Sequence, residues 1–337
     1  MKNFKRLMGI ICVFVALFAC SACGQTPPHK HNLSAVSAKP AGYATHGNIA
    51  YYECDGCDKI FKDAQGTQET TWQQVRITSE TKFDKKQYVK DNYTLNYCLY
   101  EPESLDKEQD KVPLILFLHG SGERGSDNEL QLKNAILQVI KAGNEDSEWM
   151  KSVVIAPQCP SSTDGNTNSG ASDLSRWVES PPSTQPHANY TQSTVAESKP
   201  IKYTAELVSQ YAQYDYIDED RIYVVGLSMG GFGTWDILAR YPNLFAAGAP
   251  ICGGGPSDKI DVLKNIPIYT FHGSSDTTVR PAGTQAMYDA IKDAGGDKII
   301  YYVFNNQGHG IWNNAITFAG SGTQYPALET WLFSQSK

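Results

Sequence analysis

One serine of this chain lies in a sequence context that makes it a candidate nucleophile. Ser228 has one glycine two residues before it, Gly226, and another two residues after it, Gly230. An apolar, mostly β-branched run at residues 222–225 precedes this G-x-S-x-G pattern, and apolar residues at helical spacing follow it. The glycines let neighbouring backbone pack closely around a strained strand-to-helix turn, from which the serine hydroxyl projects beyond the sheet. The pattern therefore predicts a nucleophile elbow at Ser228.

A serine hydroxyl is nucleophilic at neutral pH only when a base takes its proton and a carboxylate orients that base. We predict Asp276 as the carboxylate because it follows an apolar run and a glycine turn. We predict His309 as the base because it lies between the last apolar run and the C-terminal helical pattern. His272 ends the strand of the acid and is expected to be buried and hydrogen-bonded, whereas His187 lies in a polar segment without a flanking strand.

Negative charge that develops on a substrate oxygen needs backbone N–H donors aimed at it. One donor is expected from Met229, directly after the serine. The second is expected from Ser121, in the small-residue loop at residues 119–125 that follows an apolar run. These two residues are the predicted oxyanion hole.

Continuous apolar runs alternate with helical patterns through most of the chain. Strands are predicted at residues 113–118, 153–157, 222–225, 246–251, 266–271 and 299–304, and helices at 130–141, 203–214, 233–240, 283–294 and 325–333. Residues 93–100 alternate like an antiparallel edge strand. This order predicts an α/β fold with a doubly wound and mostly parallel sheet. The elbow at Ser228 makes the α/β-hydrolase type the expected form of that fold.

Residues 161–200 interrupt the alternation with many Ser, Thr, Asn and Pro residues. We expect a long loop over the strand ends, which is typical of segments that shape a substrate site. Trp177, Tyr190 and Trp312 could stack on a sugar or phenolic ring, or be ordinary buried aromatic residues.

Residues 83–337 resemble secreted bacterial α/β-hydrolases related to feruloyl esterases, polyhydroxybutyrate depolymerases and prolyl-oligopeptidase-type predicted peptidases. The resemblance is carried by residues 118–125, 156–159, 226–233 and 250–254, together with Asp276 and His309. In such hydrolases the triad follows in the order serine, acid, histidine, which excludes His119 because it precedes the serine. The resemblance implies the same three residues, Ser228, Asp276 and His309, as the spacing does.

These residues predict a serine carboxylic ester hydrolase that needs no cofactor for catalysis. Its expected substrate is a small-molecule or polysaccharide-linked ester, with acetyl and feruloyl decorations as candidates. One alternative is a serine peptidase of the prolyl-oligopeptidase type, although no propeller domain accompanies the hydrolase sequence. Another is a non-catalytic surface binding protein on a hydrolase scaffold.

The N-terminus has the pattern of an export signal. Basic residues precede an apolar run from residue 7 to residue 19, which is short for a membrane span and typical of a signal sequence. The run ends before Cys20 in a pattern that resembles a bacterial lipobox, with Cys23 as a second candidate for lipidation. We predict a lipoprotein-type signal at residues 1–19, a tether at 20–30 and an extracytoplasmic protein whose membrane contact is a lipid anchor at Cys20. Simple secretion is the alternative.

Residues 31–64 resemble small zinc-ribbon-like modules of extracellular bacterial proteins. A segment of this size buries too little apolar surface to fold without a metal or another staple. His31, His46, Cys54 and Cys57 could form a tetrahedral zinc site, whereas a Cys54–Cys57 disulfide is the competing interpretation. A linker is predicted at residues 65–82.

Composition restricts the remaining possibilities. The chain has 337 residues with 29 basic and 36 acidic ones, a net charge of −7, and no basic stripe, so a nucleic-acid partner is not expected. Of eight cysteines, five lie beyond the leader, and this odd number argues against a dense disulfide framework. The sequence also allows a bridge between Cys159 and Cys252.

Overall fold

The computed structural model describes residues 30–39, 47–77, 83–143, 146–161, 176–178 and 189–337. The chain divides into two compact units, a small one that ends at Arg76 and a large one that contains Ile77–Lys337. Within the described ranges, no helix combines the length and the apolar character needed to cross a membrane.

The elements are numbered in chain order. The strands are β1 (Leu33–Val36), β2 (Gly47–Asn48), β3 (Tyr51–Cys54), β4 (Ile60–Phe61), β5 (Glu69–Thr70), β6 (Arg76–Ile77), β7 (Phe83–Lys90), β8 (Tyr93–Tyr100), β9 (Val112–Leu118), β10 (Val153–Gln158), β11 (Ile217–Leu227), β12 (Ala247–Ile251), β13 (Ile268–Gly273) and β14 (Ile299–Phe304). The helices are α1 (Trp72–Val75), α2 (Ile136–Ala142), α3 (Lys199–Tyr211), α4 (Met229–Arg240), α5 (Ile260–Leu263), α6 (Pro281–Asp293), α7 (Trp312–Ile316) and α8 (Leu328–Phe333). Short 3-10 turns occur at Ser121–Glu123, Leu130–Lys133 and Gln192–Thr194.

The large unit is built on an eight-stranded sheet with the order β14-β13-β12-β11-β9-β10-β8-β7. Neighbouring strands from β14 to β10 run parallel, and β8 pairs antiparallel with both β10 and β7. Because β9, β11 and β12 lie in the middle, the loops after their carboxyl ends meet at one edge of the sheet. This edge is where the predicted site residues lie.

Both faces of the sheet are buried. Along β9, Leu114, Leu116 and Leu118 belong to one apolar cluster, and Ile115 and Phe117 belong to another. Successive side chains of a strand point to opposite faces, so a continuous apolar run produces a strand covered on both sides. The predicted α/β-hydrolase fold is confirmed.

Several predicted elements differ in detail. The edge strand is β7 rather than β8, because the largely polar Phe83–Lys90 pairs along the whole length of β8. The helix predicted at 130–141 is interrupted, since Ala135 adopts a positive φ of 56° between a 3-10 turn and α2. Helix α3 starts at Lys199, before the predicted residue 203, because Ser198 caps it by accepting a hydrogen bond from Ile201 N–H.

The small unit contains a four-stranded sheet with the order β1-β3-β4-β5, in which each neighbouring pair is antiparallel. Its apolar cluster among the described residues is small and contains Tyr51, Ile60 and Val75, with Val36 packed against them. Because β5 and α1 follow residue 64, the unit continues past the end predicted for the module and into the predicted linker.

Candidate active site

Ser228 lies in the tight turn between β11 and α4, with φ 54° and ψ −116°. A Cβ on Gly226 would approach Gly230 O to 2.2 Å, and a Cβ on Gly230 would approach Leu118 O to 1.9 Å. Only glycine fits at these two positions, which is the physical reason for the G-x-S-x-G spacing. The turn presents the Ser228 side chain at the carboxyl edge of the sheet.

The structure brings Ser228, His309 and Asp276 into one hydrogen-bonded chain. His309 Nε2 lies 2.8 Å from Ser228 Oγ, and His309 Nδ1 lies 2.6 Å from Asp276 Oδ2. Asp276 follows β13 and His309 follows β14, so three separate loops supply the three side chains. With Nδ1–H donated to the carboxylate, the Nε2 lone pair faces the serine proton. This arrangement can transfer a proton from the hydroxyl to the imidazole.

Asp276 is buried and held on both carboxylate oxygens. Oδ1 accepts hydrogen bonds from the backbone N–H groups of Thr278 at 2.8 Å and Val279 at 3.0 Å, while Oδ2 faces His309. Burial raises the pKa of Asp276, but the hydrogen bonds from His309, Val279 and Thr278 outweigh burial and leave the pKa below its usual value. The carboxylate is therefore ionised at neutral pH and can orient the imidazole.

A second histidine contacts the same carboxylate. His272, at the end of β13, places Nε2 at 3.2 Å from Asp276 Oδ2 and at 2.9 Å from Val279 O, and places Nδ1 at 2.8 Å from Thr284 Oγ1. Burial lowers the pKa of His272, so the neutral ring donates its Nε2–H to these acceptors. His272 is fully buried, as expected from the sequence, but its position against the acid was not anticipated.

The loop after β9 lies directly beside the serine. A Cβ on Gly120 would lie 3.6 Å from Ser228 Cβ. His119 fixes this loop, because Nδ1–H donates to Gly120 O at 2.6 Å and Nε2 accepts Cys159 N–H at 2.9 Å. Burial lowers the pKa of His119 to about 4, and the neutral ring satisfies both contacts. Ser121 and Met229 each begin a helical turn, so their N–H groups have no partner within that turn.

A cavity of about 250 Å³ opens beside the serine. Its described lining contains Ser121, Arg124, Arg176, Val178, Ser228, Met229, Phe232, Thr278 and Val279. Both predicted oxyanion donors therefore line the same cavity as the serine. Sequence reasoning missed Arg124 and Arg176 as lining residues. Arg124 lies within the loop at 119–125, which the sequence indicates through its small residues and its expected oxyanion donor. Arg176 lies in the polar insertion, where no neighbouring residue pattern indicates a contact with the site.

Two of the three candidate stacking aromatics are excluded from contact with a substrate. Trp177 is fully buried and donates its Nε1–H to His119 O at 2.9 Å, and Tyr190 is buried with its hydroxyl donated to Asp236. Both are framework residues, because packing and hydrogen bonding occupy their rings and polar atoms. Trp312 is partly buried and contacts the His309 ring edge-on at a centroid distance of 5.7 Å.

The five described cysteines are free, so the Cys159–Cys252 bridge does not form. Cys159 is buried beside His119, whose Nε2 accepts its backbone N–H. Cys252 Sγ lies 3.4 Å from His309 O. Each thiol therefore packs on a different loop of the site.

The small unit brings together three of the four predicted zinc ligands. His31 Nδ1 lies 3.3 Å from Cys54 Sγ and 3.6 Å from Cys57 Sγ, and all three ligand atoms lie within 4.8 Å of one another. Tetrahedral zinc with ordinary bond lengths separates a nitrogen ligand from a sulfur ligand by about 3.6 Å. The spacing thus fits a bound metal of this kind. His46, the fourth predicted ligand, lies outside the described residues, as do Cys20, Cys23 and His187.

The fold and the site together define a class. A mostly parallel eight-stranded sheet, a serine in a strand-to-helix elbow, and an acid and a histidine on later loops are the features of an α/β-hydrolase. The sequence profile of the phospholipase/carboxylesterase family matches residues 101–325. The chain belongs to this family.

Individual relatives are esterases at low identity. Carboxylesterase SOBER1 of Arabidopsis thaliana is 25% identical over 225 residues, which cover 65% of this chain and 88% of that protein. The bifunctional acetylxylan esterase/xylanase XynS20E of Neocallimastix patriciarum is 25% identical over 195 residues, or 58% of this chain. A crystal structure of a thermostable esterase aligns with a TM-score of 0.62 at 26% identity, and covers 86% of this chain and 73% of that one. The chain spans between 21% and 23% of the length of three of its curated relatives.

Proposed function

We propose that this protein is a serine carboxylic ester hydrolase. The observation that carries the proposal is the hydrogen-bonded chain from Ser228 Oγ through His309 to Asp276, with distances of 2.8 Å and 2.6 Å, at a strand-to-helix elbow. Membership of the phospholipase/carboxylesterase family and the esterase relatives support it. A small cavity beside the serine favours a short acyl group or a single ring over a long chain.

The proposed reaction has two steps. Ser228 Oγ attacks the ester carbonyl while His309 Nε2 takes the hydroxyl proton, and the N–H groups of Met229 and Ser121 stabilise the oxyanion. His309 then returns the proton to the departing alcohol, which leaves an acyl group on Ser228. Water attacks this acyl-enzyme with His309 again as the base, so the acid is released and the serine is restored. Asp276 orients His309 throughout and stabilises the imidazolium that forms.

Turnover of 4-nitrophenyl acetate tests this function. Ser228→Ala is expected to lower kcat by at least about 10⁴-fold, because removing the nucleophile leaves only the oxyanion donors and substrate binding. Ser209→Ala, at an exposed serine of α3, is the matched control and is expected to retain wild-type turnover. Equal rates for Ser228→Ala and wild type would contradict the enzyme, and preferential cleavage of a peptide substrate would favour a peptidase.

We propose, second, that the small unit binds a structural zinc ion through His31, Cys54, Cys57 and His46. The His31 to sulfur distances of 3.3 Å and 3.6 Å support this, because they match the edges of a tetrahedral zinc site. Bound zinc would supply folding energy to a unit with a very small core. Metal analysis of the full chain should give one zinc per chain, and loss of that zinc in Cys57→Ser; a metal-free, folded protein would contradict the site.

We propose, third, that the enzyme acts outside the cytoplasm, anchored by a lipid at Cys20. The support is the basic and then apolar pattern of residues 1–19 followed by a cysteine. Labelled fatty acid should be incorporated into the wild type and be lost in Cys20→Ala. Label that persists in Cys20→Ala and is lost in Cys23→Ala would move the anchor to Cys23.

A further inference from the structure

Two arginine side chains line the cavity that contains the candidate nucleophile. Arg124 is half-buried, and its Nε–H donates to Ser121 O at 2.9 Å. Ser121 is also a proposed oxyanion donor, so the guanidinium lies directly beside the reacting region. A guanidinium carries five N–H donors in a planar fork, and Arg124 binds Ser121 O through one of them among its contacts.

Arg176 is held at the same cavity by its neighbour. Trp177 is fully buried, donates Nε1–H to His119 O at 2.9 Å, and accepts the Ser198 hydroxyl proton on its backbone carbonyl at 2.6 Å. Since Arg176 and Val178 flank this anchor and both line the cavity, the anchor fixes where they lie. Arg176 is exposed, and none of the carboxylates in the described ranges forms an ion pair with it.

The charged residues in the described part of the cavity lining are Arg124 and Arg176, and this part contains no acidic residue. The other lining residues include the apolar Val178, Met229 and Phe232. A neutral, apolar ester would use the apolar wall but would gain nothing from the arginines. An ester with a carboxylate would use both, because a guanidinium binds a carboxylate through two parallel hydrogen bonds.

We propose that this cavity selects esters that carry a carboxylate close to the bond that is cleaved, with Arg124 and Arg176 as the specificity-determining residues. The proposal rests on the esterase function proposed above and names its substrate class. The carboxylate can belong to the acyl part, as in a half-ester of a dicarboxylic acid, or to the alcohol part, as in an acylated hydroxy acid.

Two matched substrate pairs test the proposal and separate its two forms. For the acyl part, 4-nitrophenyl hydrogen succinate is compared with its neutral methyl ester. For the alcohol part, 4-acetoxybenzoate is compared with methyl 4-acetoxybenzoate. The measured quantity is the ratio of kcat/KM for the charged ester to that for the neutral ester, at low ionic strength and after subtraction of uncatalysed hydrolysis. The wild type is expected to favour the charged member of one pair by about tenfold, and added salt should reduce the preference.

The arginine variants assign this preference. Arg124→Gln is expected to lower the charged-to-neutral ratio about tenfold, and Arg176→Gln about threefold, since an exposed pair is weakened by solvent. Arg124→Lys keeps a positive charge and should retain part of the ratio. Arg221→Gln is the control, because Arg221 pairs with Asp218 away from the cavity lining and the variant changes the net charge equally.

Three results would overturn the proposal. The wild type could favour the neutral member in both pairs, both arginine variants could leave the ratio at its wild-type value, or both could lower the two members equally, which is the signature of a purely structural role. In each of these cases the neutral ester is still hydrolysed through Ser228, so the proposed function stands. Hydrolysis of the neutral ester that persists in Ser228→Ala would instead overturn the function, and this inference with it.

Discussion

In the large unit, His309 is held by protein atoms at both ring nitrogens, Asp276 at one and Ser228 at the other. In the small unit, His31 Nδ1 faces two thiols at 3.3 Å and 3.6 Å. The first arrangement pairs every donor with an acceptor, so its own hydrogen bonds position it. The second gathers metal ligands that repel one another once the thiols ionise, and such a cluster gains stability from a cation. A histidine thus serves proton transfer in one setting and ligation in the other.

A third cysteine sharpens this contrast. Cys252 Sγ lies within 4.8 Å of ligand atoms of Asp276 and His309, so residue types alone would suggest another metal site. Burial raises the pKa of the Cys252 thiol, which keeps it protonated, and the thiol lies 3.4 Å from His309 O as a donor. A protonated thiol is a poor ligand, because metals bind the thiolate. We therefore assign Cys252 to the packing of the His309 loop.

Metal removal is expected to produce the largest difference between the behaviour of the two units. Structural zinc sites of this size contribute about 10 kcal/mol of folding free energy. A strong chelator applied to the full chain is therefore expected to abolish the hydrogen-exchange protection of β3 and β4, while β9 and β11 remain protected. Exchange followed by mass spectrometry measures both in one sample.

The opposite result would remove the contrast. One such result is that β3 and β4 stay protected in the chelator and that the mass of the non-reduced chain is about two hydrogens below that of the reduced chain. It would mean that Cys54 and Cys57 form a disulfide. Cys98→Ser is the control variant for these exchange and mass measurements, because Cys98 is buried in the large unit and does not belong to the group of His31, Cys54 and Cys57.

Replacing the acid should have the next largest effect. Asp276→Asn is expected to lower kcat for 4-nitrophenyl acetate by about 10³- to 10⁴-fold, since the amide no longer fixes the Nδ1–H tautomer of His309. The N–H bonds from Thr278 and Val279 have a carbonyl oxygen left to bind, so the fold should persist. Asp297→Asn, at an exposed acid, is the matched control with near-wild-type kcat. The reverse order of the two variants would reassign the acid.

The pattern around Ser228 could be read from sequence because local sterics dictate it. A Cβ added at Gly226 or Gly230 would lie only 2.2 Å or 1.9 Å from a backbone carbonyl oxygen, far inside van der Waals contact, so this turn requires glycine at both positions. The strands of the central sheet could also be predicted from the sequence, since burial on both faces requires continuous apolar runs. The predicted 299–304 agrees with Ile299–Phe304 of β14.

Contacts between distant segments could not be predicted in this way. Asp276 meets His272, Thr278 and Val279 through a turn whose geometry depends on tertiary packing. Trp177 lies in a polar insertion, and its hydrogen bonds to His119 O and from the Ser198 hydroxyl, which hold it in place beside Arg176, join segments distant in sequence. The edge strand β7 was missed because its alternation is weak and its partner, β8, is itself well patterned.

A steric overlap introduced at the elbow is expected to have the third largest effect. Gly230→Ala places a Cβ at 1.9 Å from Leu118 O, where only a backbone shift can relieve the overlap. We expect the variant to lose at least about 3 kcal/mol of unfolding free energy and most of its turnover. Gly308→Ala is the matched control for stability, because nothing lies within 4 Å of its added Cβ. Equal stability of the two variants, measured by urea unfolding, would mean that the elbow is not held by this packing.

Acidification should produce the smallest of these effects, and it acts on a histidine that neither transfers a proton nor binds a metal. His119 has a folded pKa of about 4 and an unfolded pKa of about 6.5, because burial disfavours the charged ring. Between these pKa values the unfolded chain binds more protons at His119 than the folded protein does. The stability that the neutral His119 ring contributes is therefore fully present above pH 6.5 and is lost as the pH falls. The shift predicts a loss of about 2 kcal/mol between pH 7 and pH 5.

Urea unfolding of the wild type and His119→Gln at both pH values isolates this contribution. Tryptophan fluorescence follows the unfolding, and one of the contributing rings, Trp177, meets the His119 ring edge-on at 5.1 Å. The variant should start from a lower stability at pH 7 and lose about 2 kcal/mol less on acidification, because glutamine has no proton to gain. Other buried groups, including His272, titrate in both proteins and cancel in the difference. An identical loss in the two proteins would show that His119 stays uncharged on unfolding, or is already charged in the folded loop, and would remove its assigned role as the neutral residue that fixes Gly120 beside Ser228.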